Sequence, residues 1–138
     1  MRYLGLDLGT KTLGVSITDK TGLITRELPV IRFDFEDYDS ALIQAKEVID
    51  EYNISEVVLG LPKNMDGTLG FASERSLKFK ELLENAGLVV HLVDERLTTK
   101  SAIDMMHEIN KTEKNSKNII DSVSASIILE SYLKSIKK

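Results

Sequence analysis

The sequence predicts an α/β fold in which helices pack on the faces of a mixed sheet. Three observations carry that expectation. Residues 3–33 read as three successive strands with short connections, the pattern of an antiparallel meander. Beyond residue 39, helically spaced apolar residues alternate with short unbroken apolar runs, as in parallel strands flanked by helices. The chain has 138 residues, 42% hydrophobic and 29% charged. That is enough apolar material for one core, and a single domain is expected over residues 1–138.

Taken in order, Tyr3 to Gly9 is a short apolar run ended by glycine, and Thr12 to Thr18 alternates apolar with polar residues. Asp19-Lys20-Thr21-Gly22 is a turn cluster, after which Leu23 to Phe33 reads as a third strand. Ala45, Val48, Ile49 and Tyr52 lie at helical spacing behind the capping candidates Asp39 and Ser40. Val57 to Gly60 is the kind of strand buried on both faces, and a loop with Pro62 and Asp66-Gly67 follows. Ala72, Ser76, Phe79, Leu83 and Ala86 mark a helix stopped by Gly87, and Leu88 to Val93 is another strand. Thr98 or Thr99 can cap a helix containing Ile103 and Met106. A polar stretch, Asn110 to Lys117, leads to a last helix that begins at Asp121 and ends near Ser135.

The chain has no cysteine, which removes thiol catalysis, zinc-finger chemistry and disulfide frameworks together. Its first residues lack the basic-then-apolar pattern of a signal peptide, and no apolar run approaches the roughly 18 residues of a membrane span. A cytoplasmic protein without a membrane partner is expected. The net charge of −4 argues mildly against a general nucleic-acid binder, although the distribution of charge matters more than its total.

Three carboxylates stand where folding alone does not call for them. Asp7 interrupts an apolar strand between Leu6 and Leu8, with Gly5 and Gly9 on its own face. An unpaired charge there costs several kcal/mol, so the position calls for a salt bridge, a proton or a metal. Glu95 follows a strand, beyond the carboxyl end where ligand groups gather in open α/β sheets. An ordinary solvated Asp-Glu-Arg loop is the simpler account of it. Asp121 heads the last helix on a face continued by Ala125, Ile128 and Tyr132, where complementing the helix dipole is the simpler role. Convergence of all three at one end of the sheet would supply the oxygen ligands that Mg²⁺ or Mn²⁺ prefers. Two such ions can promote phosphodiester hydrolysis.

Four segments resemble one family. They are Leu6 to Ser16 (Leu-Asp-Leu-Gly-Thr-Lys-Thr-Leu-Gly-Val-Ser), Leu59 to Thr68, Val93 to Thr99, and Asp121 to Leu133. Together they are similar, in order and over nearly the whole chain, to the YqgF/RuvX family. The resemblance implies a ribonuclease-H-like fold related to the Holliday-junction resolvase RuvC, with a mixed five-stranded sheet and helices on both faces. It implies a nuclease maturing the 5′ end of pre-16S ribosomal RNA, with junction resolution as the alternative. Asp7, Glu95 and Asp121 fall on the family's proposed acidic triad, the expected catalytic and metal-binding set. RuvC-type resolvases often add an acid one turn later, where this chain has Ser124.

Lys11, Lys63 and Arg96 lie close in sequence to those positions and are expected to bind phosphates, with hydrogen bonds from Asn64, Thr98 and Thr99. Lys111, Lys114 and Lys117 form a basic edge or simply a solvated loop. At 6% aromatic residues, extensive base stacking is not expected. The expected partner is structured nucleic acid, RNA ahead of a DNA junction, within the small ribosomal subunit precursor, bound by a monomer or weak homodimer. Neither His91 nor His107 has a second histidine at metal-ligand spacing, so both read as structural. The Asp-Leu-Gly-Thr segment also looks like the first phosphate loop of actin-like ATPases and sugar kinases, but no second phosphate motif follows. A non-catalytic RNA- or ribosome-binding module is the remaining alternative.

Overall fold

A computed structural model describes residues 2–22, 24–62, 70–94 and 116–136, the last segment with its side chains from residue 125 onward. The elements are β1 (Tyr3–Leu8), β2 (Thr12–Thr18), β3 (Thr25–Arg32), α1 (Tyr38–Tyr52), β4 (Glu56–Leu61), α2 (Phe71–Asn85), β5 (Val89–Asp94) and α3 (Ser116–Ile136). The strands form one five-stranded sheet in the order β3-β2-β1-β4-β5. The expected meander is antiparallel, whereas β4 and β5 join β1 in parallel.

Strand alternation sorts the core into two layers. Leu4 and Leu6 of β1, Leu13, Val15 and Ile17 of β2, and Val57 and Leu59 of β4 form a layer with Ala41, Ala45 and Ile49 of α1 and Phe79 and Leu83 of α2. On the other side Val58 meets Ile128, Leu129 and Leu133 of α3, with Tyr3, Val93 and Tyr132 at the margin. Each fully buried Leu or Ile contributes about 1.5–3 kcal/mol, so both layers hold the sheet firmly. Helices cover both faces, as expected. Among the described residues no helix is long and apolar enough to cross a membrane.

Several boundaries differ from the sequence expectation for identifiable reasons. Asp37, and neither Asp39 nor Ser40, caps α1: its side chain accepts a hydrogen bond from the Ser40 backbone N–H at 3.2 Å. Asp39 lies within the first turn, where its charge complements the helix dipole. The third strand starts at Thr25 because Asp19 draws the chain into a turn, its carboxylate accepting from the N–H of Thr21 at 3.1 Å and of Ile24 at 3.4 Å. The last helix starts at Ser116, so Asp121 is its sixth residue and not its first, and the helix takes in the end of the polar stretch. Gly87, at φ +94°, stops α2 as expected. The helix anticipated after Thr98 or Thr99 lies outside the described residues.

Candidate functional site

Asp7 is the next-to-last residue of β1, half-buried. It pairs with Gly14 on β2. Leu6 pairs with Leu59 on β4, which puts Gly60 beside Asp7 on the other neighbouring strand. Gly5 stands two residues before it on β1, and Gly9 two residues after it, just past the end of the strand. A carboxylate at the carboxyl end of the parallel strands is therefore framed by glycines in all four directions of the sheet. The missing side chains let neighbouring backbone come close to the strands on this face, where Gly5, Gly14 and Gly60 are buried. Gly5 and Gly9 are neighbours of Asp7 in sequence, whereas Gly14 and Gly60 become its neighbours only through strand pairing. A glycine inside a strand signals close backbone approach but does not say which strand will lie beside it.

α3 lies on this face. Its backbone comes so close to β1 that a Cβ at Gly5 would lie 2.4 Å from Ser16 Oγ and 2.9 Å from the Ala125 carbonyl oxygen. Ser16 Oγ donates to that carbonyl at 2.8 Å, fixing the depth of the helix. Further along, the Tyr132 ring meets the Tyr3 ring edge-on at 5.5 Å. α3 thus runs antiparallel to β1. Four residues before Ala125 carry the helix axis about 6 Å. Two residues beyond Gly5 carry β1 about 6–7 Å. The α3 backbone at residue 121 therefore reaches the end of the sheet that holds Asp7, whereas its side chain lies outside what is described.

The same end receives the other strand termini. Asp94, the last residue of β5, pairs with Leu61 at the end of β4. Glu95 follows at once and, with Arg96, Thr98 and Thr99, lies outside the described residues. So do Lys63 and Asn64, which leave β4 just after Pro62. The Pro62 carbonyl accepts a hydrogen bond from Ser73 Oγ in the first turn of α2, which joins the two ends of the 63–69 segment. Lys11 is exposed in the β1–β2 hairpin turn, closed by the Gly9 N–H on the Thr12 carbonyl at 2.8 Å. The segment before α1 braces that turn, with Phe33 N–H on Lys11 O at 3.0 Å and Glu36 N–H on Thr10 O at 2.8 Å.

His91 has a structural setting. Its Nε2 lies 2.6 Å from Glu56 Oε1, and its ring stacks on Tyr132 at 4.7 Å. Burial, and then neighbouring Tyr3 and Glu56, push the Tyr132 phenol above its usual range. Glu56, Tyr3 and Tyr132 cluster toward the amino ends of the parallel strands, away from Asp7. His107 lies outside the described residues.

The Asp7 carboxylate offers the oxygen donor that a hard divalent cation takes. Among the described residues no three His, Asp or Glu side chains gather at one point, and Glu95 and the Asp121 side chain are not among them.

Comparison with known proteins supplies the family. The chain is 46% identical over 136 residues to a protein of Geobacillus kaustophilus, strain HTA426, spanning 98% of this chain and 99% of that one. It is 42% identical over 139 residues, and over the full length of both, to one of Clostridium botulinum, strain Hall. Both bear the name "Putative pre-16S rRNA nuclease". Among solved structures, Thermus thermophilus RuvC in complex with a Holliday junction substrate matches with a TM-score of 0.61 at 15% identity, covering 99% of this chain and 97% of that one. Fowlpox virus resolvase with Holliday junction DNA matches with a TM-score of 0.58 at 20% identity over the full length of both. At that identity they establish the fold, which is ribonuclease-H-like. A family model described as "RuvX: Holliday junction resolvase" matches residues 1–135, and with full-length relatives above two-fifths identity this chain belongs to the RuvX family.

Proposed function

We propose that this chain is a metal-dependent endonuclease, working as one domain, that hydrolyses phosphodiester bonds in structured RNA at the 5′ side of pre-16S ribosomal RNA. The glycine-framed Asp7 carries the reading: a half-buried carboxylate at the carboxyl end of the parallel strands, with the exposed Lys11 in the turn that follows its strand. Asp7, Glu95 and Asp121 would hold Mg²⁺ or Mn²⁺, three oxygen donors of the type those ions select. When bound, the metal supplies Lewis acidity for the attack of water on phosphorus and for the departing oxygen. The chain's own part is positional. Lys11, Lys63 and Arg96 hold the phosphate backbone, and Asn64, Thr98 and Thr99 add hydrogen bonds to it. One P–O bond forms to water as another breaks, and the water's proton passes to solvent or to the leaving oxygen.

Relatives named for pre-16S rRNA support RNA as the substrate. A second reading, Holliday junction resolution, is favoured by the family model's description. Both use the same acids. Incubating the protein with pre-16S rRNA precursor and, separately, with a four-way DNA junction distinguishes them, each with Mg²⁺, Mn²⁺ or EDTA. RNA cleavage that needs metal and is lost in Asp7→Asn is expected. Cleavage of the junction alone would reverse the substrate. Intact substrate in every arm, with binding retained by Asp7→Asn, would replace catalysis with a binding role.

A further inference from the structure

We infer that the groove between the start of α1 and the outer face of α2 binds an arginine- or lysine-rich segment of a partner protein. Two adjoining hollows, of about 360 and 540 Å³, lie there. Glu36, Asp37, Asp39, Glu74 and Glu81 line them, against only Arg75 and Lys78. Asp37 is spent on capping α1, but no ion pair within the described residues neutralises Glu36, Asp39 or Glu81. The groove also carries aromatic surface suited to cations. Phe71, one of the lining residues, is 82% exposed. An exposed aromatic ring attracts guanidinium or ammonium groups through its face.

The charge distribution selects this partner over a nucleic-acid strand. Residues 34–52 hold seven of the chain's 22 acidic side chains and one of its 18 basic ones. The net charge of that stretch is −6, so the remaining residues sum to +2 although the whole chain is −4. Phosphates would be repelled from this wall, and a basic peptide would be drawn to it from a distance. Glu36 N–H also bonds to the β1–β2 hairpin that carries Lys11. A partner held here would therefore stand next to the end of the sheet occupied by Asp7, as a basic protein packaged with a large RNA would.

The test uses the full chain and a fluorescein-labelled peptide of five Arg-Gly repeats, followed by anisotropy and by amide chemical shifts. Saturable binding is expected, weakened by salt, with shifts at residues 36–39 and 71–82. The Glu36→Gln/Glu81→Gln pair should weaken it about three- to tenfold, the effect of two exposed charge contacts. Phe71→Ala should weaken it as well. Metal-dependent cleavage should be unchanged in both variants, so failure of this inference and failure of the nuclease reading are told apart. Equal affinity in the charge variant, or shifts confined to other residues, would overturn the proposal. A ten-nucleotide uridine oligomer that perturbs the same residues and displaces the peptide would overturn it in favour of an RNA strand.

Discussion

Gly5 shows how one missing side chain sets the site. A methyl group there would collide with Ser16 Oγ, the Ala125 carbonyl and Leu129 Cβ, all within 2.9 Å. Gly5→Ala should lower the unfolding free energy by about 1–3 kcal/mol in urea titration, the usual cost of overpacking, and push α3 off the strand that bears Asp7. Reduced RNA cleavage should accompany the lost stability. His91 gives the contrast. Its contacts with Glu56 and Tyr132 are structural, so His91→Gln should cost about 1 kcal/mol in the same titration and leave metal-dependent cleavage within a factor of two. Asp7 itself was legible in the sequence because a charge between Leu6 and Leu8 breaks an apolar strand. Gly14 and Gly60 were not, because their meaning depends on which strands become neighbours of β1, a property of pairing and not of local pattern.

At the scale of elements, the strands and the first two helices followed from periodicity, while their ends followed from side-chain hydrogen bonds that periodicity does not record. Three acids and a serine, Asp34, Asp37, Asp39 and Ser40, crowd the approach to α1, and all are reasonable turn or cap residues. Asp37 takes the role because its carboxylate reaches the Ser40 N–H. Asp37→Ala should therefore lower the thermal midpoint, equivalent to about 1 kcal/mol, whereas Asp39→Ala should cost less than half of that. α3 was harder to bound. Its polar beginning resembles a loop in sequence, and from Ala125 onward Ala125, Ile128, Leu129 and Leu133 are buried at helical spacing. The sequence order of the sheet was also only half legible: short connections announced the meander, but nothing local required β4 and not β3 to lie beside β1.

For the whole molecule, charge and burial act at a distance from the site. The negative total that argues against RNA resides in residues 34–52, and the remaining residues sum to +2. Burial pushes the Tyr38 and Tyr132 phenols above their ordinary value of 10.0. A folded-state pKa above the unfolded one gives stability that is fully present below pH 10 and lost as pH rises through the folded values. Unfolding free energy should accordingly be flat from neutrality to about pH 9 and fall above pH 10, with a shallower fall in the Tyr132→Phe variant. The bond between Ser16 and Ala125 spans 109 residues of sequence. A ribosome making this chain has released β1 and β2 long before α3 exists, so the Asp7 face waits uncovered while nearly everything else is synthesised. High contact order of this kind slows folding, and the last step to close the sheet also completes the proposed active face. A nascent chain can thus assemble the α1 and α2 layer early, but the face that bears Asp7 is covered only after α3 has docked.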